Sequence, residues 1–277
     1  MSNGATVRLR HGLHEGGAWQ RVAVLRPLCG ADELALEESG KLPAQRVTAL
    51  LAAVLQSIGV VRPVGAVEVR RLTVGDRERL VLALHAASFA PQVECLVTCA
   101  ACGATVEIAL DLREVLAPGD GTWAPAEGSA DADGLTLRYR LPTGADQERA
   151  AALATVDATA AETALLGACL CSVTAAHGVA APSDPARLLA ALEEVLRVSD
   201  PDAEIVVAAP CPECGAQQRT IPDAHALLSG ALQQTGSVLA DVHRLAAAYH
   251  WSETDILRLP TARRRRYLAL LDPGVAA

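Results

Sequence analysis

Two short cysteine motifs carry the most specific chemistry in this sequence. Cys99 and Cys102 are separated by two residues, as are Cys211 and Cys214, and a glycine follows each pair. Two cysteines at this spacing on a tight turn can direct both sulfurs at one ion, and the glycine supplies the positive φ that such a turn needs. Because structural zinc takes four ligands in a tetrahedron, the two pairs together predict one four-cysteine zinc site per chain.

Other interpretations of these cysteines are disulfides, an iron–sulfur cluster and packing without a metal. A redox pair of the thioredoxin type is the least favoured, because its Cys-x-x-Cys motif lies between a strand and a helix, whereas these pairs lie between predicted strands. The other four cysteines fall on apolar or small-residue stretches and are predicted to be packing residues. These four are Cys29, Cys95, Cys169 and Cys171.

The sequence contains no motif of a known catalytic class, such as His-Glu-x-x-His, Gly-x-Ser-x-Gly or a phosphate-binding loop. Zinc held by four thiolates has no open position for an activated water, so it does not predict catalysis either. His11 and His14 have a ligand-like spacing, but they lie in a Gly-rich predicted turn and no matching pair exists. We therefore predict a protein that is not an enzyme and has no small-molecule substrate.

The cysteine motifs lie within a longer internal repeat. Three segments of the first half return in the second half at offsets of 114, 115 and 112 residues: 26–33 as 140–147, 48–55 as 163–170, and 99–104 as 211–216. The first pair shares a Gly-Ala-Asp triplet and the third shares Cys-x-x-Cys-Gly-Ala. Three matches in one order at nearly one offset predict a tandem duplication.

Each half is predicted to contain a strand, then helices, then a β-hairpin with the cysteine motif in its turn. The predicted strands are 20–28 and 135–141, the helices are 31–38, 44–58, 76–89, 145–153, 158–172 and 185–198, and the hairpin strands are 93–98 with 105–110 and 204–209 with 217–221. The uncharged stretch 163–183 is mostly Ala, Gly, Thr and Ser, and it predicts a buried helix better than a membrane span.

The predicted fold class is α+β and mostly helical: two tandem helix-plus-hairpin repeats joined by a shared four-cysteine, zinc-ribbon-like site, with a C-terminal helical tail. The predicted boundaries are 1–116 for the first repeat, 117–134 for a linker that contains Trp123, 135–222 for the second repeat and 223–277 for the tail. Apolar spacings of three and four between 228 and 249 predict one tail helix. Ser252 begins a short helix, and a last helix follows Pro260.

The composition limits the classes of partner. The net charge of -8 and the pI near 5.4 oppose non-specific attraction to nucleic acid or to an anionic membrane. The first twelve residues carry arginines without an apolar run, which argues against a secretory signal, so reduced thiols and a cytoplasmic location are expected. We predict no nucleic acid and no membrane insertion.

The order of these features resembles the baseplate hub assembly chaperone family of T4-like contractile phages and its relatives in contractile injection systems. The resemblance rests on Val-Leu-Arg-Pro-Leu-Cys-Gly-Ala-Asp-Glu at 24–33, Leu-Thr-Val-Gly-Asp-Arg at 72–77, the cysteine motifs at 99–103 and 211–215, Arg-Leu-Pro-Thr-Gly-Ala-Asp at 140–146, and 249–257 with 263–267. The chain departs from the family pattern at Cys29 and in its Ala-rich helices. The resemblance implies a non-enzymatic role in building a baseplate around the spike and tube hub, in the cytoplasm during assembly, after which the protein leaves or stays in the particle.

The tail is predicted to carry the partner-binding surface, because it has no equivalent in the first half. Tyr, Trp and Arg are the residue types that most often dominate interface energies. The candidates are Tyr249, Trp251, Ile256, Leu257, Arg264, Arg265 and Tyr267. The competing interpretation is that these residues pack on the chain's own repeats.

The alternative function is a zinc-ribbon protein that binds nucleic acid or transcription machinery, because four-cysteine sites are common in that class. The acidic charge opposes this alternative, and Arg219 is the one basic residue in the two predicted knuckles, 99–110 and 211–221.

Overall fold

A computed structural model describes residues 4–117, 125–132, 134–175 and 185–271 of the chain. Its first part comprises β1 (Ala5–Glu15), β2 (Ala18–Leu25), α1 (Gly30–Glu37), α2 (Pro43–Val54), β3 (Leu55–Ile58), α3 (Ala66–Arg71), α4 (Val74–Ser88), β4 (Gln92–Thr98), β5 (Thr105–Asp111) and α5 (Leu112–Leu116). Next come β6 (Glu127–Ala132), β7 (Leu135–Arg140), α6 (Gly144–Ala154), α7 (Ala158–Cys169), β8 (Leu170–Ala175), α8 (Pro185–Ser199), β9 (Val207–Pro210) and β10 (Gln217–Thr220). The remaining elements are α9 (Ala224–Thr235), α10 (Val238–Tyr249), α11 (Glu253–Leu257) and α12 (Thr261–Leu271). The fold is α+β, as predicted.

The strands form two three-stranded antiparallel sheets, β1-β2-β3 and β6-β7-β8, and two separate hairpins, β4-β5 and β9-β10. The predicted helices 44–58 and 158–172 are wrong at their C-terminal ends. In each, the last residues leave the helix and pair with the neighbouring strand, as β3 with β2 and β8 with β7. An apolar run of this length fits a buried helix or a buried strand equally well, so its periodicity could not separate the two.

Two further strands were absent from the sequence prediction. β1 pairs with β2, and it includes His11, which lies in a strand and not in a turn. β6 pairs with β7 inside the segment that we predicted to be a linker. The rest of that linker, with Trp123, lies outside the described residues, as does the end of the uncharged stretch, 176–183.

The strand-to-helix turns that contain Gly-Ala-Asp have the same geometry in both halves; we call residues 28–33 turn 1 and residues 142–147 turn 2. In turn 1, Arg26 donates hydrogen bonds to both oxygens of Asp32, at 2.6 and 2.9 Å. In turn 2, Arg140 donates to both oxygens of Asp146 at the same two distances. Each aspartate also accepts the N–H of the residue three positions before it, at 2.9 Å. Such capping boxes satisfy the free N–H groups at a helix start.

The hydrophobic interior has three parts. The main core lies between the first sheet, α2, α4 and α9, and includes Leu25, Leu51, Ile58, Leu80, Leu84 and Leu228. A smaller core lies between the second sheet and α7 and α8, with Leu135, Leu137, Cys169 and Leu192. A third lies between the two hairpins, beneath the cysteines. Because α9 contributes Ala224 and Leu228 to the main core, the tail that we predicted from residue 223 begins inside the body of the protein.

The predicted single helix over 228–249 is wrong, because two helices fill that range. Gly236 has a φ of +79°, which ends α9, and α10 begins two residues later. The later predictions are confirmed. The Ser252 hydroxyl accepts the N–H of Asp255 at the start of α11, and α12 follows Pro260.

Part of the tail does have a counterpart in the first half, contrary to our prediction. We call residues 65–77 module A and residues 252–264 module B; each has a short helix (α3 or α11), a two- or three-residue connection and the start of a longer helix (α4 or α12). Module A binds turn 2 through Val74 N–H to Pro142 O at 3.0 Å. Module B binds turn 1 through Thr261 N–H to Leu28 O at 2.9 Å. The offset between the modules is 187 residues, which differs from that of the repeat.

Each module also places a fully buried arginine against the glycine of its turn. Arg77 packs on Gly144 in turn 2, and Arg264 packs on Gly30 in turn 1. A side chain at either glycine would meet the guanidinium. Two different parts of the chain therefore cover the two turns in the same way, each with a buried arginine.

Candidate metal centre

The two hairpins hold the four cysteines by packing their apolar faces together. Val106 and Ile108 of β5 are buried in this contact, opposite Val207 and Ala209 of β9. The N–H of Ala100 also donates to the side chain of Gln218 across the contact, at 3.3 Å. The cysteine turns of the two halves are therefore brought to the same end of the paired hairpins.

The two cysteine turns have the same backbone conformation. Gly103 N–H donates to the carbonyl of Cys99 at 2.9 Å, and Gly215 N–H donates to that of Cys211 at 2.9 Å. The two glycines have φ values of +75° and +74°, so the predicted need for a residue without a side chain is confirmed. In both turns the first cysteine is buried and the second is exposed.

The sulfur atoms fit a tetrahedral ion. All four Sγ atoms lie within 4.8 Å of one another. Cys99 Sγ is 3.7 Å from Cys214 Sγ, and Cys102 Sγ is 3.7 Å from Cys211 Sγ. A zinc–sulfur bond of about 2.3 Å gives a tetrahedral edge of about 3.8 Å, whereas a disulfide needs about 2.05 Å. These distances match shared coordination by four thiolates, with two ligands from each hairpin.

The electrostatics of the cluster differ between the cysteines of one turn. The backbone N–H groups of Cys102 and Ala101 lower the pKa of Cys99 to about 7. The N–H of Ala104 favours the thiolate of Cys102, but the thiol groups of Cys214 and Cys99 outweigh it and raise the pKa of Cys102 to about 12. Four thiolates therefore need a cation to coexist, and binding of that cation releases protons.

The predicted partner-binding residues do not all lie on one surface. Tyr249, Trp251 and Tyr267 form an aromatic cluster, with ring centroids 4.9 to 5.8 Å apart and all three side chains half-buried. Leu257 is also half-buried, and Arg265 is exposed.

Two of the candidates need correction, because Ile256 and Arg264 are fully buried. Arg264 donates to Glu33 Oε2 at 2.5 Å and to Asp241 Oδ2 at 3.0 Å. Although burial disfavours a charged guanidinium, these two carboxylates raise the pKa of Arg264. Its role is to attach the tail to turn 1.

A second polar cluster, which the sequence analysis missed, joins the two halves. Asp76 of α4 is fully buried and accepts the N–H groups of Arg10 and Gly12, at 2.7 and 2.6 Å. Burial raises the pKa of Asp76 despite these donors. His11, also buried, lies 3.4 Å from a carboxylate oxygen of Asp200, which follows α8 in the second half. The Gly-Asp-Arg sequence at 75–77 was the one available signal, and it does not reveal these distant partners.

A family described as T4 bacteriophage base plate protein matches residues 18–228. The chain belongs to this family. The matched range contains both cysteine pairs, both turns and module A, whereas α10 to α12 lie beyond it. The protein is thus a T4-like structural baseplate protein, which indicates contacts with other baseplate components and a non-enzymatic role.

No significant match was found among curated proteins or solved structures. None of the helices in the described ranges is long and apolar enough to cross a membrane.

Proposed function

We propose that this protein is a non-enzymatic structural or assembly protein of the baseplate hub, held together by one structural zinc ion. The observation that carries the proposal is the family match over residues 18–228, which encloses a four-cysteine cluster with tetrahedral spacing. Zinc bound by four thiolates contributes folding energy and leaves no open coordination position. The ion would join the first half of the chain to the second.

The proposal includes a duplicated body, with repeats over 1–116 and 135–222 and a tail over 223–277. Three features support the duplication. Each half runs from a sheet through two helices back to the same sheet. Turns 1 and 2 have the same ion pair, and the two cysteine turns have the same backbone conformation. A zinc shared between duplicated halves fixes their relative position, which is what a component of a rigid particle requires.

The partners that we propose are the spike and tube hub proteins, which the chain binds in the cytoplasm during assembly. After assembly, the chain either leaves these proteins or stays with them in the particle. The surface proposed for them is the tail around Tyr249, Trp251, Leu257, Arg265 and Tyr267. Because residues 229–277 of the tail lie beyond the family match, they are the part in which one baseplate protein can differ from another. The nucleic-acid alternative gains no support from the hairpins, where Arg219 is the one basic side chain of the described knuckles.

Two measurements test the proposal. Elemental analysis of the purified chain should give one zinc per chain, with loss of the metal in Cys102→Ser and retention in Cys171→Ser, an exposed cysteine outside the cluster. Purification from the native cells should recover baseplate, spike or tube proteins with the chain. A folded, metal-free protein with four titratable thiols would refute the zinc site, and recovery without any baseplate component would refute the hub role.

A further inference from the structure

The equivalence of modules A and B allows one face of α12 to be compared with the equivalent face of α4. At the offset of 187 residues, the first turns of α12 correspond to those of α4. Four positions on one helix face are equivalent: Asp76 to Arg263, Arg79 to Arg266, Leu80 to Tyr267, and Ala83 to Leu270. We call the α12 residues of this set the α12 face.

On α4, the equivalent face is covered by the chain itself. All four of its residues are buried, with at most 7% of the surface of each exposed. Strand β1 lies across it, so that Arg79 donates to the carbonyl of Arg8 at 3.3 Å. Arg79 also pairs with the carboxylate of Asp202, at 3.5 Å, which comes from the second half. A strand and an acidic side chain therefore complete this face.

On α12, the same face is open within the described part of the chain. Arg263 and Arg266 are exposed, Tyr267 is half-buried and Leu270 is 69% exposed. Arg263 lies 5.8 Å from the ring centroid of Tyr267, which keeps a guanidinium over an aromatic ring. Trp251, which the same offset relates to the buried Val64 just before module A, packs on Tyr267 at the edge of the face.

We propose that the α12 face docks an acidic, extended segment of another baseplate protein, in the place that β1 and Asp202 take on α4. This inference rests on the proposed baseplate role and names the chemistry of the partner. In the docked state, carboxylates of the segment pair with Arg263 and Arg266, and its apolar side chains cover Tyr267 and Leu270.

The charge distribution favours an acidic partner. Residues 238–271 contain six arginines and three acidic residues, whereas the whole chain contains 24 basic and 32 acidic residues. A basic end on an acidic protein attracts an acidic surface and sets its orientation. Protein is favoured over nucleic acid because the three rings of the cluster pack on one another and offer no row of free faces for bases.

Lys41 is the single lysine of the chain, so a lysine introduced at another position can be identified as the site of an amine cross-link. Arg266→Lys keeps the positive charge and introduces an amine on the α12 face. A carbodiimide couples such an amine to a carboxylate in contact with it, forming an amide while the reagent takes up the water. Arg138→Lys, at an exposed arginine of β7, is the matched control. Each full-length variant is co-expressed with the spike, hub and tube proteins of its source, purified, cross-linked and mapped by mass spectrometry.

The expected result is an amide between position 266 and an Asp or Glu of a baseplate protein, at least tenfold more abundant than any at position 138. In parallel, the double variant Arg263→Glu with Arg266→Glu should recover at least tenfold less of that protein than Arg138→Glu, with circular dichroism and zinc content unchanged.

Three outcomes would overturn the proposal. If the wild type recovers baseplate proteins but position 266 gives no such cross-link, the docking proposal fails and the baseplate role stands. If the association is lost on nuclease treatment, the partner is a nucleic acid. If the wild type recovers no baseplate protein, both proposals fail together.

Discussion

Replacement of Arg264 by methionine should test the attachment of the tail to turn 1. Arg264 is fully buried and bridges two acidic groups, Glu33 at 2.5 Å and Asp241 at 3.0 Å. Methionine fills much of the same volume but leaves both carboxylates without their cation. Removing one partner of a buried ion pair costs about 3–5 kcal/mol, because the remaining charge stays buried and unpaired.

That loss is large relative to a total stability of about 5–15 kcal/mol for a folded domain. The assay is urea unfolding followed by far-UV circular dichroism, with Arg265→Met as the control. Arg265 is exposed one residue further along the same helix, so its replacement should change stability by no more than about 0.5 kcal/mol.

A second variant separates lost charge pairing from altered packing. Adding Glu33→Gln to Arg264→Met removes the uncompensated charge nearest the substitution, so part of the stability should return. We expect a coupling free energy of about 1–3 kcal/mol between the two positions. The reasoning would be refuted if Arg264→Met were within about 1 kcal/mol of Arg265→Met, or if Glu33→Gln gave no recovery.

Three further predictions follow from other parts of the structure. Cys102→Ser and Cys214→Ser should lower zinc content and thermal stability equally, since each leaves three ligands joining the same hairpins; unequal losses would contradict a shared site. Burial, with a nearby carboxylate, raises the pKa of Glu78 to about 7, so ionisation should cost stability as pH rises from about 4.5 to 7. Glu78→Gln should therefore stabilise by up to about 3 kcal/mol at pH 8 but by less than about 1 kcal/mol at pH 5 in urea titrations. Gly144→Ala should destabilise by about 1–3 kcal/mol because its methyl group meets a buried guanidinium, whereas Gly167→Ala, which meets open space on α7, should stabilise by about 0.5–1 kcal/mol in the same assay.

The candidate metal site could be predicted from sequence because its signal is local. A Cys-x-x-Cys-Gly motif fixes a turn, and two such turns of two ligands each need one another to satisfy a tetrahedral ion. The Gly-Ala-Asp turns were predictable for the same reason, since the capping aspartate lies three residues from the group that it caps. Local spacing was therefore enough to predict the cysteine turns without knowledge of the tertiary contacts.

Features that depend on distant partners could not be predicted. Four arginines in succession, 263–266, give no indication that the second is the buried one; that depends on Glu33, 231 residues away in sequence. Modules A and B share only three identical residues of thirteen, so their common geometry left almost no trace in the sequence. The C-terminal ends of the predicted helices 44–58 and 158–172 form strands because each pairs with a neighbouring strand of its sheet.

The attachment of module B to turn 1 also sets an order for folding during synthesis. Glu33 is made early, yet its cation at Arg264 follows 231 residues later. At about 5–20 residues per second, that interval is roughly 10–50 s. Until then turn 1 lacks its contacts with Thr261 and Arg264 of module B, so the first half cannot reach its final stability before that part of the chain is made. A chain that stops before residue 264 lacks the contact between Arg264 and Glu33, and we expect proteases to cleave it more readily than the complete protein.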